Sequence, residues 1–268
     1  MLKQRVITAA CLVALTVWAV LALPTAYMGV LFLLIVGAGA WEWGGLLGLH
    51  TAGRLLYLGL VLVLIGISWW LREQPVFCWS LLLVSGAYWC YVVVWLRRYA
   101  ARPSRRDPWS LWAVAGVLLL VTAWFALIFL HGASRFGPGY VLFLLSLVWV
   151  ADTGAYFAGR RWGRHKLAPA ISPGKTREGA LGALALSLVF SAVGAWLLDA
   201  PAWPVFVLVS MVAAVFSIIG DLFESMGKRQ HGIKDSGSIL PGHGGVLDRI
   251  DSLTAAAPVF LLGLLVLT

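Results

Sequence analysis

Long, nearly uncharged apolar runs separated by short polar breaks make up most of the chain. About 20 such residues are enough to cross the roughly 30 Å of bilayer hydrocarbon as a helix. The pattern predicts nine helices, near 6–23, 26–48, 55–71, 75–96, 110–130, 137–157, 180–198, 201–220 and 252–268. The count holds to within one, because a tightly joined pair could be re-entrant. The fold class expected is therefore all-α, a polytopic integral membrane protein of about nine transmembrane helices. Only Glu42 and Asp152 put a charge inside a span. Glu42 lies between Trp41 and Trp43, so an anchor at the membrane interface explains it as well as any site does, and it receives no role. The first run follows Lys3 and Arg5 as a signal peptide would. It is longer than a signal's apolar core and has no clear small-x-small cleavage site, so it is expected to be retained.

Composition sharpens this picture. Of 268 residues 61% are apolar and 12% charged, about half the charged share of a soluble domain, which excludes a soluble globular protein, disorder, a coiled coil and collagen. Cys11, Cys78 and Cys90 lie in apolar runs without a C-x-x-C pair, so neither a disulfide framework nor a thiolate metal site is expected. The net charge of +9 would suit nucleic acid only if it formed a basic patch on a soluble face, and here it is spread between the apolar runs. With the N-terminus inside, eighteen of the twenty Lys and Arg residues fall on inner loops, and only Arg72 and Arg135 lie outside. The positive-inside rule then sets the orientation. Three inner segments, 97–109, 158–179 and 221–251, are long and polar, so any reaction centre should face the cytoplasm. Two parts follow: N-terminal transmembrane helices in 1–134, and C-terminal ones in 135–268 that carry the cytoplasm-facing catalytic segments.

The first inner segment has five arginines and suits a topogenic loop that touches anionic lipid headgroups. In the second, Asp152 near a span end is costly unless hydrated, paired or bound to a cation. Ser172-Pro173-Gly174-Lys175-Thr176 combines a turn, a cation and two hydroxyls just before a helix, the groups that hold phosphate oxygens at a helix N-terminus. Helix capping by Ser172 or Thr176 would account for the hydroxyls equally well. The third segment concentrates five carboxylates and four fixed cations. Asp221 and Glu224 are three apart at the end of one helix, and Asp248 and Asp251 are three apart at the start of the last, so each pair shares a helical face. Crowded carboxylates repel unless a cation neutralises them. A divalent metal, Mg²⁺ by the all-oxygen donors, would do so. Salt bridges with Lys228, Arg229, Lys234 and Arg249 would do so too. Between the pairs, Pro241-Gly242-His243-Gly244-Gly245 forms a loop able to bring backbone N–H groups to an anion, with His243 as a further donor.

These residues carry a resemblance. Lys228-Arg229, four residues, Lys234-Asp235, Pro241-Gly242-His243-Gly244-Gly245 and Asp248-Arg249-Ile250-Asp251 resemble the signature of the phosphatidate cytidylyltransferase (CDP-diacylglycerol synthase) family. Asp152, Lys166-Leu167-Ala168-Pro169 and Ser172 to Gly179 are similar to a second region of that family, so the likeness extends over about the last 120 residues. Gly227 departs from it, standing where an aliphatic residue is usual, which puts helix continuity there in question. The resemblance implies transfer of the cytidylyl group of CTP to phosphatidic acid, giving CDP-diacylglycerol and pyrophosphate in phospholipid biosynthesis. It implies a divalent metal, with a second ion compatible, membrane lipids as surroundings and a multi-pass place in the cell's inner (plasma) membrane. A homodimer is compatible with it. The roles expected are Asp221, Asp248, Lys234, His243 and Arg249 in catalysis, and Asp221, Asp248 and Asp251 on metal. Ser172, Lys175, Thr176, Lys228, Arg229 and Asp235 are expected to bind substrate, with Asp235 and Asp152 also candidates for metal or nucleotide contacts. The rival reading is a transporter with a cytoplasmic-side ion site. Its charges should lie near the bilayer midplane rather than at one face.

Overall fold

The structure, a computed structural model, describes residues 13–103, 106–200, 202–233, 235–237 and 244–267. Within them the apolar runs form helices α1 (Val13–Ala22), α2 (Thr25–Leu46), α3 (Thr51–Leu71), α4 (Pro75–Ala101) and α5 (Trp109–Gly132). Then come α6 (Pro138–Trp162), α7 (Arg177–Leu197), α8 (Trp203–Gln230) and α9 (Leu247–Leu267). Eight of these, α2 to α9, are long and apolar enough to cross a membrane. The first predicted span lies partly outside the described residues, whose share of it is α1. The protein is thus an all-α, multi-pass membrane protein.

Local chemistry sets the boundaries. Proline opens α4 and α6, where a missing N–H costs nothing, and a positive-φ glycine, Gly137, precedes Pro138. Gly48, at φ 72°, closes α2 with its N–H on Gly45 O at 2.9 Å, while Leu49 N–H reaches Gly44 O at 3.0 Å. Two helices outrun their apolar stretches: α8 continues from 220 to Gln230, and α9 starts at Leu247 rather than 252. Hydropathy stops at the first charges. The helices do not, because those charges pair along and between them.

The most buried helix is α5, packed against α2, α3 and α9. Near the charged end, Trp112 of α5 stacks on Phe223 of α8 at 5.1 Å between ring centres, and Trp95 of α4 meets the same phenylalanine at 5.3 Å. Trp43 of α2 donates its indole N–H to Trp112 O at 2.9 Å. Four helices therefore close around one aromatic group that fixes the end of α8. Gly227 lies in an unbroken stretch of α8, and a β-carbon there would come within 2.9 Å of Trp112. The glycine makes room for the tryptophan, and helix continuity is intact.

Helices α6 and α7 approach closely because Gly154 and Gly182 face each other: a β-carbon on Gly154 would lie 2.6 Å from Gly182 O. Small residues at such crossings are how membrane helices pack. Between the two helices the chain makes a small antiparallel hairpin, β1 (Lys166–Ala168) and β2 (Ser172–Thr176), with Lys166 opposite Thr176 and Ala168 opposite Ser172. It adds two short strands to an otherwise helical fold. It also fixes the Ser-Pro-Gly-Lys-Thr stretch, for which the sequence had indicated a turn.

Candidate active site

The hairpin delivers its residues to a cavity of about 430 Å³ between α6, α7 and α8. Asp152, Tyr156 and Arg160 of α6, Lys175 and Thr176 of β2 and Asp221 of α8 supply its polar lining, and Ala151, Ala155, Ala180 and Ile218 part of its apolar lining. Lys175 Nζ forms an ion pair with Asp221 Oδ2, each side chain part-exposed. Arg160 donates to the Tyr156 hydroxyl at 2.8 Å. Thr176 is the N-cap of α7: its hydroxyl oxygen accepts from Gly179 N–H at 3.1 Å. Glu178, in the first turn of α7, accepts from the backbone N–H of Arg164 at 3.1 Å and pairs with His165 Nδ1 at 2.6 Å, which ties down the segment leading into β1. Ser172 sits opposite Ala168 in the hairpin, and Arg229 Nε donates to Ile171 O at 3.3 Å, joining the hairpin turn to the end of α8.

A second cluster adjoins the first. Lys228 of α8 donates to Glu224 Oε2 at 2.9 Å and to Asp248 Oδ1 of α9 at 2.6 Å, with all three side chains largely buried. Asp248 Oδ2 accepts from Gly245 N–H at 2.9 Å and Ser236 N–H at 3.2 Å. Asp251, one turn on, stands within electrostatic reach of both Asp221 and Glu224. The charges thus form two groups, Asp152, Lys175 and Asp221 on the cavity and Glu224, Lys228 and Asp248 beside it, with Asp251 within electrostatic reach of both.

The structure therefore brings together Lys175, Thr176, Asp152 and Asp221, and it brings together Lys228, Asp248 and, through Asp221, Asp251. Arg249 and Asp235 are exposed nearby in the sequence of the third segment. Lys234 and His243 lie outside the described residues. Two residues emerge that sequence reasoning left without a role. Glu224 completes the Lys228 pair, a contact signalled by its i, i+4 spacing. Glu42 of α2, buried to 3% exposure, accepts hydrogen bonds from the start of α9. Its signal was only that a carboxylate stood in an otherwise uncharged span.

Among the described residues no three acidic, histidine or cysteine side chains converge closely enough to hold a metal ion. Lysines meet the carboxylates instead: Lys175 on Asp221, Lys228 on Glu224 and Asp248. The donor chemistry nonetheless fits a hard divalent cation, because every acidic ligand offers oxygen. Glu224 Oε1 is buried without a hydrogen-bond partner, and it belongs to a side chain within reach of Asp251. Two such carboxylates repel unless a proton or a cation lies between them.

Comparison with known proteins bears on this arrangement. A family model described as the cytidylyltransferase family matches residues 3–267. The chain is 42% identical over 266 residues to a phosphatidate cytidylyltransferase of Pseudomonas aeruginosa, covering 97% of this chain and 96% of the relative. It is 35% identical over 298 residues to one of Haemophilus influenzae, covering 97% of each. Over 152 residues, 56% of each chain, it is 46% identical to one of Brucella suis.

The Lys228 cluster generates a stability prediction. Removing one partner of a buried ion pair leaves the others uncompensated, at about 3 kcal/mol or more. Lys228→Gln should therefore lower the thermal unfolding midpoint in detergent far more than Lys175→Gln, whose pair with Asp221 is part-exposed. Equal midpoints for the two variants would contradict this description of the cluster.

Proposed function

The chain belongs to the cytidylyltransferase family, and from that premise we propose that it transfers the cytidylyl group of CTP to phosphatidic acid, giving CDP-diacylglycerol and pyrophosphate. The observation that carries this reading is the cavity that sets the Lys175 ammonium beside Asp152, Thr176 and Asp221, with small apolar side chains on its other walls. A lining that combines cations, hydroxyls and carboxylates with apolar side chains suits a ligand with a phosphate head, an accompanying divalent cation and a hydrocarbon tail. The relatives named above support nucleotidyl transfer, and none supports transport.

Phosphatidate brings its own nucleophile, since a phosphate monoester is largely dianionic near neutral pH. An oxygen of that phosphate forms a bond to the α-phosphorus of CTP, the bond from the α-phosphorus to its bridging oxygen breaks, and the electron pair leaves with pyrophosphate. No side chain has to remove a proton. The work of the protein is to hold the two phosphates in line and to offset charge on the leaving group. Lys175, Ser172 and Thr176 hold phosphate oxygens in this reading, Thr176 while its hydroxyl also caps α7. Lys228, Arg229, Lys234, His243 and Arg249 meet substrate phosphates, with Lys228 releasing one of its two carboxylates to do so. Asp235 and Asp152 stand as further nucleotide contacts. Asp221 and Asp251 are the residues that would hold Mg²⁺ together with substrate phosphate oxygens, and Asp248 would join them only by giving up Lys228. Bound there, the ion supplies neutralisation of the developing pyrophosphate charge. The site faces the cytoplasm of the inner membrane, a placement supported by the eighteen basic residues that fall on one side.

Pyrophosphate release from the purified protein with phosphatidate and each of the four nucleoside triphosphates tests the reading. Release with CTP alone, and only with Mg²⁺ present, is expected. No release with CTP, or equal release with all four, would overturn it.

Lys175 gives a sharper prediction within the same assay. Loss of a charge-assisted hydrogen bond to phosphate is worth roughly 1.5–3 kcal/mol, so Lys175→Gln should lower kcat/KM about 10- to 150-fold. Lys175→Arg, which keeps the charge but changes its geometry, should recover part of that. Wild-type kinetics in Lys175→Gln would remove the residue from the site.

A further inference from the structure

Glu42 lies some two hundred residues from its partners in the chain. Its Oε1 accepts from Val246 N–H at 3.0 Å, and its Oε2 accepts from Leu247 N–H at 2.8 Å and from the Ser236 hydroxyl at 3.3 Å. Val246 and Leu247 carry the first N–H groups of α9, which have no carbonyl partner within the helix. A carboxylate there is favoured by hydrogen bonding and by the helix dipole together. Glu42 is therefore a cap supplied from another helix. An interfacial anchor would face headgroups and water, whereas this side chain is buried and directs both oxygens at one segment.

The seat is shaped to the carboxylate. A β-carbon on Gly245 would overlap the Ser236 hydroxyl and come within 2.6 Å of Glu42 Oε2, and one on Gly237 would overlap the same carboxylate. Both ends of the stretch from Ser236 to Val246 thus meet on Glu42. Asp248 repeats the arrangement from the other side, holding the N–H groups of Ser236 and Gly245. The first turn of α9, which this pair of clamps fixes, carries Asp248 itself and leads to Asp251.

We propose that Glu42 is a positioning residue of the transfer site. Its carboxylate sets where the first turn of α9 stands against α8, and so sets Asp248 against Lys228 and Asp251 against Asp221. It touches no reacting atom. The proposal rests on the cytidylyltransfer reading above and goes beyond it, because it places an N-terminal helix in control of the C-terminal site.

The test compares the full-length wild-type protein with Glu42→Gln and Gly245→Ala, measuring kcat, KM for CTP and the thermal unfolding midpoint in detergent. Glu42→Gln keeps the shape but turns one acceptor oxygen into a donor, so one of the two α9 N–H groups loses its partner. A displacement of an ångström at a reaction centre costs on the order of 100-fold. Glu42→Gln should lower kcat about 10- to 100-fold, change KM for CTP less than about threefold and lower the midpoint by only a few degrees. Gly245→Ala, whose β-carbon would press on the Ser236 hydroxyl and on Glu42 Oε2, should give the same split. A lower midpoint with wild-type kcat per folded molecule would overturn the proposal. So would wild-type kinetics in Gly245→Ala, or failure of both variants to fold, which would make Glu42 a folding residue. Absence of transfer by the wild-type protein is a separate result: it would remove the functional reading, and this proposal with it.

Discussion

Charge placed on a membrane helix has to be compensated by another charge, by hydrogen bonds or by a cation, and the charged end of this protein is arranged by that requirement. Lys228 is the clearest case, an ammonium shared between Glu224 on its own helix and Asp248 on the next. That bridge joins α8 to α9 where both have outrun their apolar stretches. Asp248 then passes the constraint on to the backbone of Ser236 and Gly245, and Glu42 meets the same segment from α2. On the other side, Lys175 links the hairpin to Asp221. Asp221, Glu224 and Asp248 are each met by an ammonium and Glu42 by backbone N–H groups, while Asp251, beside Asp221 and Glu224, accepts from the Ser252 N–H.

Packing makes this electrostatic arrangement stand still. The Trp112, Trp95, Trp43 and Phe223 group clasps α8 within one turn of Glu224, and Gly227 admits Trp112 against the helix. Asp107 and Gln230 extend the same contact in polar form: Gln230 Nε2 donates to Asp107 Oδ2 at 2.7 Å, and Asp107 Oδ2 also accepts from Trp95 Nε1 at 2.6 Å. On the other flank, Gly154 and Gly182 bring α6 to α7 closely enough for Asp152 and Thr176 to line one cavity. Substrate phosphates entering there would meet groups already oriented, which is what in-line transfer between two phosphates requires.

The helices were legible because a membrane span announces itself by local composition alone. Their ends were less so, since a hydropathy window counts Glu224 and Lys228 as two charges and cannot see that they neutralise each other along a helix. The hairpin was hidden for a different reason: Ser172-Pro173-Gly174-Lys175-Thr176 contains two residues that strands disfavour, so its sequence reads as a turn. Thr176 had two readings, phosphate contact and helix cap. The cap is formed, and the same residue lines the cavity. Glu42 was beyond reach of any local argument, because its partners lie 194 to 205 residues away and two flanking tryptophans explain it as an anchor. Asp248, expected on metal, has its oxygens engaged by Lys228 and two backbone N–H groups, contacts that depend on how α8 and α9 meet.

In the proposed reaction these charged residues direct the transfer of the α-phosphorus of CTP, with its nucleoside, onto a lipid phosphate. Following the position of the label tests this directly. Purified protein would be incubated with phosphatidate, Mg²⁺ and CTP carrying radioactive phosphorus at either the α or the γ position, and then extracted into organic solvent. Cytidylyl transfer puts α-label in the lipid phase and γ-label in the aqueous phase as pyrophosphate. Label from the γ position in lipid, or no α-label there, would contradict it.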